Sequence, residues 1–152
     1  MRIAVIPARG GSKRIPQKNI KQFCGKPMIA WSIEAALNSN CFEQVIVSTD
    51  DEEIASIARF YGADVPFVRP KSLADDHTGT NPVIEHAIEW LSRQELNPDF
   101  VCLIYATAPF ICASDIQAGL NLIINNSCDY VLSVTSFAFP IQRGLKIDVE
   151  GK

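Results

Sequence analysis

The sequence predicts an α/β fold, a mostly parallel sheet with helices on both faces. Two observations carry this. Short apolar runs rich in Ile and Val alternate with stretches whose apolar residues recur at helical spacing. The first apolar run also ends in a loop with paired glycines, the place where parallel sheets gather ligands.

Taken in order, Arg2 to Pro7 reads as a buried strand. Met28 to Leu37 places Ile29, Ile33, Ala36 and Leu37 on one helical face. Gln44 to Thr49 is a second strand, and Asp50 with Glu53 forms a capping box for a helix through Ile54, Ile57 and Ala58 that stops at Gly62. Val65 to Arg69 carries Pro66 and reads as a strand end or edge. Lys71 to Thr80 is a polar loop. Asn81 and Pro82 then serve as N-cap and first position of a helix whose apolar face is Val83, Ala87, Ile88 and Leu91. Phe100 to Tyr105 is a strand, Ser114 and Gln117 start a helix through Ile116, Leu120 and Ile123, and Tyr130 to Thr135 is a further strand. Leu145 to Val149 looks like one more strand before a turn at Glu150 and Gly151. A chain that stops there reads as cut short, with a polar tail as the alternative.

Bulk properties narrow the function classes. The 152 residues suffice for one domain with a core. A net charge of -3 argues against a general nucleic-acid binder, which needs excess Lys and Arg. No apolar run nears the roughly 20 residues of a membrane span, and Met1 to Ile6 is too short for a signal-peptide core, so a cytoplasmic location is expected. The five cysteines (Cys24, Cys41, Cys102, Cys112, Cys128) form no CxxC pair and read as reduced thiols, several of them buried. His77 and His86 share no metal-ligand spacing with them.

The chemistry concentrates in Ala8 to Asn19. Gly10 and Gly11 let backbone N–H groups approach an anion, Ser12 adds a hydroxyl, and Arg9, Lys13, Arg14 and Lys18 place four cations within ten residues. A merely solvated basic loop has no reason to sit at the end of a buried strand. Neither GxxxxGK[ST] nor GxGxxG is present. Asp50 and Asp51, at a strand end, fit either ligand binding or the start of a helix, where the dipole favours acids. Asp75 and Asp76 fit either solvation or a nucleotide contact. His86 reads as a packed helix residue, and Met28, Trp31 and Trp90 as core or interface.

IPARGGSKRIPQKNI, GKPMIAWSIEAA, VIVSTDDEEIA and RPKSLADDHTGT, in this order, resemble the acylneuraminate cytidylyltransferases (CMP-sialic acid synthetases) over nearly the whole chain. IYATAPF (Ile104 to Phe110) and FPIQR (Phe139 to Arg143) look more like the pseudaminic acid branch, whereas the sialic acid branch shows a QPTSP-like segment where Tyr105 and Ala106 stand. The resemblance implies a Rossmann-like nucleotidyltransferase fold lacking its C-terminal part. Residues 1–136 would form the nucleotide-binding domain, and 137–152 the start of a sugar-binding and dimerisation segment.

It also implies the reaction: CMP passes from CTP to a nonulosonic acid, pseudaminic acid foremost, and pyrophosphate leaves. Alternatives are a CMP-sialic or CMP-legionaminic acid synthetase, or a nucleotide-binding module without turnover. By the family pattern Arg9, Ser12, Lys13 and Lys18 contact the phosphates, with Arg9 and Lys18 catalytic and Gly10 and Gly11 giving backbone donors. Asn19 helps hold the nucleotide, Arg69 and Thr80 lie near the cytosine, and Ala8 offers its backbone to the base. Gln142 and Arg143 fall where sugar contacts begin. Mg²⁺ is the implied cofactor, its ligands beyond residue 152: the octulosonate branch has a metal-binding aspartate where this chain has Thr107. A homodimer is implied for the full-length form.

Overall fold

The computed structural model describes residues 1–126 and 128–136. Strand β1 (Arg2–Pro7) lies at the centre of a three-stranded parallel sheet in the order β4-β1-β5, with β4 (Gln44–Ser48) on one side and β5 (Phe100–Leu103) on the other. Its position explains its sequence. Ile3, Ala4, Val5 and Ile6 are each fully buried, because a central parallel strand is covered on both faces and has no solvent side to make polar.

The helices divide between those faces. Helices α1 (Met28–Asn38), α2 (Glu52–Phe60) and α4 (Ala113–Asn126) meet Ala4, Ile6, Val45 and Val47 through Ile29, Ile33, Ile54, Ala58 and Ile116. Helix α3 (Thr80–Arg93) covers the opposite face, where Ala87 and Leu91 pack on Ile3, Val5 and Ile46. The expected two-faced arrangement is therefore present. Leu37 is 38% exposed and lies off the buried face that its spacing had assigned it.

Between β1 and α1 the chain forms a small antiparallel hairpin, β2 (Gln22–Phe23) with β3 (Lys26–Pro27), which the sequence reading missed. Cys24 (φ 49°) and Gly25 (φ 88°) make its turn, both left-handed as a tight two-residue hairpin requires. Residues 64–68 run beside β4 as single parallel bridges, Ile46 with Asp64 and Thr49 with Val68, in line with the expected edge.

Several boundaries move. The N-cap of α2 is Asp51, whose carboxylate accepts Ile54 N–H at 3.0 Å; Asp50 is instead engaged by the loop after β1. Helix α3 begins at Thr80 behind an extended Gly79, so Asn81 and Pro82 lie within its first turn. Proline is tolerated there because first-turn N–H groups have no intrahelical acceptor. Helix α4 starts at Ala113, and Gln117 donates its side-chain N–H to Ser39 O at 2.9 Å rather than capping.

Tyr130 to Thr135 is not a strand. Tyr130, Leu132 and Val134 are 79–89% exposed, and no ladder partner lies beside them among the described residues. Alternating apolar residues express a demand for burial, but they do not supply the neighbouring backbone that a strand must bond. Gln142, Arg143 and the Leu145 to Val149 strand fall outside the described residues.

Candidate active site

The loop from Ala8 to Asn19 leaves β1 at the sheet's carboxyl edge and is tied down from several sides. Ala8 N–H donates to Ser48 O at 2.9 Å, extending the β1–β4 ladder by one residue. Gly10 N–H donates to Asp50 Oδ1 at 3.1 Å. A side chain on Gly10 would put a Cβ 2.5 Å from Asp51 Oδ2, so the loop can approach the start of α2 this closely only with glycine. Nothing stands within 4 Å of a Cβ placed on Gly11. Gln17 Nε2 donates to Glu53 Oε2 at 3.1 Å.

Asn19, only 6% exposed, closes the loop. Its Nδ2 donates to Arg9 O at 2.9 Å, and its own backbone oxygen accepts Ile29 N–H at 2.8 Å. Its side-chain donor therefore staples the two ends of the loop together.

A cleft of about 160 Å³ opens between the ends of β1 and β5, lined by Arg9, Ser12, Lys18, Asn19, Arg69 and Thr80 among others. Strand order reverses at this point, since β4 follows β1 to one side and β5 lies on the other; open α/β sheets bind ligands at such a reversal. Six of the expected nucleotide residues thus share one wall system. Ala8, Gly10, Gly11 and Lys13 lie outside the lining, and Ala8 is buried with its N–H spent on Ser48.

Arg69 is the cleft's buried charge, 4% exposed. Its Nη2 donates to Ser48 O and its backbone N–H to Thr49 O at 2.8 Å, while Nε has no partner. Burial pushes its pKa down, the Asp50 carboxylate works against that, and Arg9 adds to it. Asp50 therefore serves both the loop backbone and this guanidinium. The start of α3 supplies a further wall through Thr78, Gly79, Thr80 and Val83. That helix has no side-chain cap and no acid in its first turn, so its partial positive end is left to the cleft.

The remaining wall is Tyr105, Ala106 and Thr107 after β5, held from behind by Ser32 Oγ donating to Tyr105 O at 2.8 Å. Tyr105 is 59% exposed and lines the cleft. Pro7, Thr78, Gly79 and Val83 were not expected in the site: Pro7 was read as the end of the first strand, Thr78 and Gly79 as part of a polar loop, and Val83 as part of an apolar helix face. Asp76 forms ion pairs with Arg9 at 2.8 Å and with Lys13, partners more than 60 residues away that no local pattern reveals.

Other readings resolve more simply. His86 packs edge-on against Phe67 at 4.8 Å, and burial lowers its pKa. Of the cysteines only Cys41 is fully buried; Cys24, Cys112 and Cys128 are exposed, and partial burial raises the Cys102 thiol to about 11. Among the described residues no helix is long and apolar enough to cross a membrane. Nor do three His, Cys, Asp or Glu side chains gather there to hold a metal ion. Of the acids around the loop, Asp50 and Asp51 accept from Gly10 and Ile54, and Asp76 pairs with Arg9 and Lys13.

Comparison with known proteins identifies the family and the fold. Residues 3–140 match the family described as Cytidylyltransferase. The chain is 47% identical over 146 residues to the pseudaminic acid cytidylyltransferase of Campylobacter jejuni, covering 96% of this chain and 63% of that protein. It is 49% identical over 111 residues to the CMP-N,N'-diacetyllegionaminic acid synthase of Legionella pneumophila, covering 71% of this chain and 47% of the relative. The solved structure of CMP:2-keto-3-deoxy-manno-octonic acid synthetase complexed with CTP superposes with a TM-score of 0.68 at 26% identity, over 83% of this chain and 48% of that one. The Rossmann-like nucleotidyltransferase fold expected from the sequence is thus the fold found, and the chain belongs to the cytidylyltransferase family.

Proposed function

We propose that this chain binds CTP in the cleft between β1 and β5 and is the nucleotide-binding part of an enzyme that transfers CMP to a nonulosonic acid, pseudaminic acid foremost. The observation that carries this reading is the convergence of Arg9, Ser12, Lys18, buried Arg69 and the uncapped start of α3 on one cleft at the strand reversal. The 47% identity to a pseudaminic acid cytidylyltransferase supports the choice of sugar.

In this reading the anomeric hydroxyl oxygen of the sugar attacks the α-phosphorus, the hydroxyl proton is lost, and the bond to the bridging oxygen breaks as pyrophosphate departs. Negative charge gathers on the phosphoryl oxygens and on the leaving group. Arg9 and Lys18 stabilise it, helped by Ser12, Lys13 and the Gly11 backbone, while the Gly10 N–H holds the loop to Asp50. Arg69, Thr80 and Asn19 border the nucleoside, and Ala8 supports the base from behind. Magnesium, if it accompanies the triphosphate, takes its protein ligands from outside the described residues. Residues 137–152, with Gln142 and Arg143, open the sugar-binding and dimer-forming segment.

A second reading stands beside it; the chain spans 63% of the length of the pseudaminic acid cytidylyltransferase it matches. That reading is nucleotide binding without turnover. A pyrophosphate-release assay with CTP, Mg²⁺ and, in turn, pseudaminic, legionaminic and sialic acids separates the cases. Release with pseudaminic acid alone is the expected outcome. Release only with another acid moves the substrate, and CTP binding without release supports the second reading.

A further inference from the structure

Arg9 and Lys13 stand in the phosphate loop, yet their charged ends are already engaged. Arg9 Nη1 meets Asp76 Oδ1 at 2.8 Å, and Lys13 Nζ meets the other oxygen of the same carboxylate. Arg9 also donates to Asp75 O. One carboxylate thus spans two cations with its two oxygens, the geometry by which a phosphate group would bridge them. The arrangement is preformed. Asp75 accepts His77 N–H at 2.9 Å and Thr78 N–H at 2.6 Å, and Thr78 Oγ1 donates to Ser72 O at 3.2 Å. This turn delivers Asp76 to the loop from the segment that continues, through Thr78 and Gly79, into the cleft wall and the start of α3.

We propose that Asp76 is an internal stand-in for phosphate, an affinity-setting residue that shares Arg9 and Lys13 with the nucleotide's phosphates by exchange. This rests on the phosphate reading of the loop given above. A guanidinium edge or an ammonium cannot give the same hydrogen bonds to two anions at once. Both cations keep further N–H donors, so the competition is for position: a phosphate that bridges Arg9 and Lys13 takes the place the Asp76 carboxylate now holds between them. The exchange needs only rotation of one side chain, because the turn around Asp75 uses the neighbouring carboxylate. Lys13, and then Arg9, hold the Asp76 carboxyl below its ordinary pKa, so it stays charged and competes throughout the neutral range. The competition favours ligands carrying more charge than one carboxylate, such as a triphosphate or pyrophosphate, over a singly charged anion. It also gives the loop a partner to return to as pyrophosphate leaves.

The test is calorimetric titration of the whole chain with CTP and with inorganic pyrophosphate. Asp76→Asn keeps the side-chain shape and removes the charge. Glu95→Gln, at the far end of α3, removes one negative charge away from the cleft. Since exposed ion pairs are individually weak, Asp76→Asn is expected to tighten both ligands about three- to tenfold. Glu95→Gln is expected to leave both unchanged. Unchanged or weaker binding by Asp76→Asn, while the unsubstituted chain binds, overturns the exchange and leaves the phosphate loop standing. Equal tightening by Glu95→Gln reduces the effect to net charge and overturns it too. If the unsubstituted chain binds neither ligand, the phosphate reading itself fails and the exchange falls with it.

Discussion

Helices α2 and α3 both begin at the carboxyl edge of the sheet, and their first turns are opposites. The N-terminus of α2 is closed: Asp51 caps Ile54 N–H, and Glu52 and Glu53 fill the first turn. The N-terminus of α3 is open: glycine stands at the cap, no side chain bonds to it, and no acid lies in its first turn. Two helix dipoles at one edge would both attract anions. Acids neutralise one and leave the other, beside Arg9, Lys18 and Arg69, facing the cleft. The edge thus cancels the helix potential on one side of the loop and leaves it standing on the other.

That contrast can be broken deliberately. The largest effect is expected from the cations at the open end: Arg9→Ala or Lys18→Ala should each weaken CTP binding roughly ten- to hundredfold, the worth of a charge-assisted hydrogen bond, as read by calorimetry. Unchanged affinity for both would remove the loop from the site. Next, Thr80→Asp gives α3 the kind of first turn α2 has. CTP affinity should fall about tenfold while thermal stability holds or rises, since a first-turn acid contributes about 0.3–1 kcal/mol to a helix. A matching fall in stability would show disruption rather than repulsion. The smallest effect on binding is expected at the closed end. Asp51→Ala should cost about 1 kcal/mol of stability through the lost cap, measured by urea unfolding, with CTP affinity changed less than threefold. A larger binding loss would place Asp51 in the site.

The central strand and the Gly-rich basic loop after it were legible in the sequence because both are local patterns: an unbroken apolar run, then glycines and cations within a dozen residues. The sequence also revealed the two-sided helical cover because burial imposes its period on each helix. What it hid depends on contacts between distant segments. Asp50 looked like a cap because caps are recognised by distance to the next helix, and nothing nearby announces the Gly10 N–H that claims it. Asp76 stood open between solvation and a nucleotide contact for the same reason, and its pairing with Arg9 and Lys13 is neither. The hairpin at Cys24 and Gly25 is four paired residues long, too short for alternation to register. Tyr130 to Thr135 erred in the other direction, with strand composition but no neighbour to bond.

The central place of β1 has a consequence for how the chain matures. Its first partner begins at Gln44 and its second at Phe100, so the first of these strands to be made waits longest for its second partner. At synthesis rates of roughly 5–20 residues per second, its four core side chains wait on the order of 5–20 s for that second partner. Contacts this remote along the chain slow folding. Until they close, Ile3 to Ile6 is an uncovered apolar stretch of nascent polypeptide, and it is there that a chaperone would have most to shield.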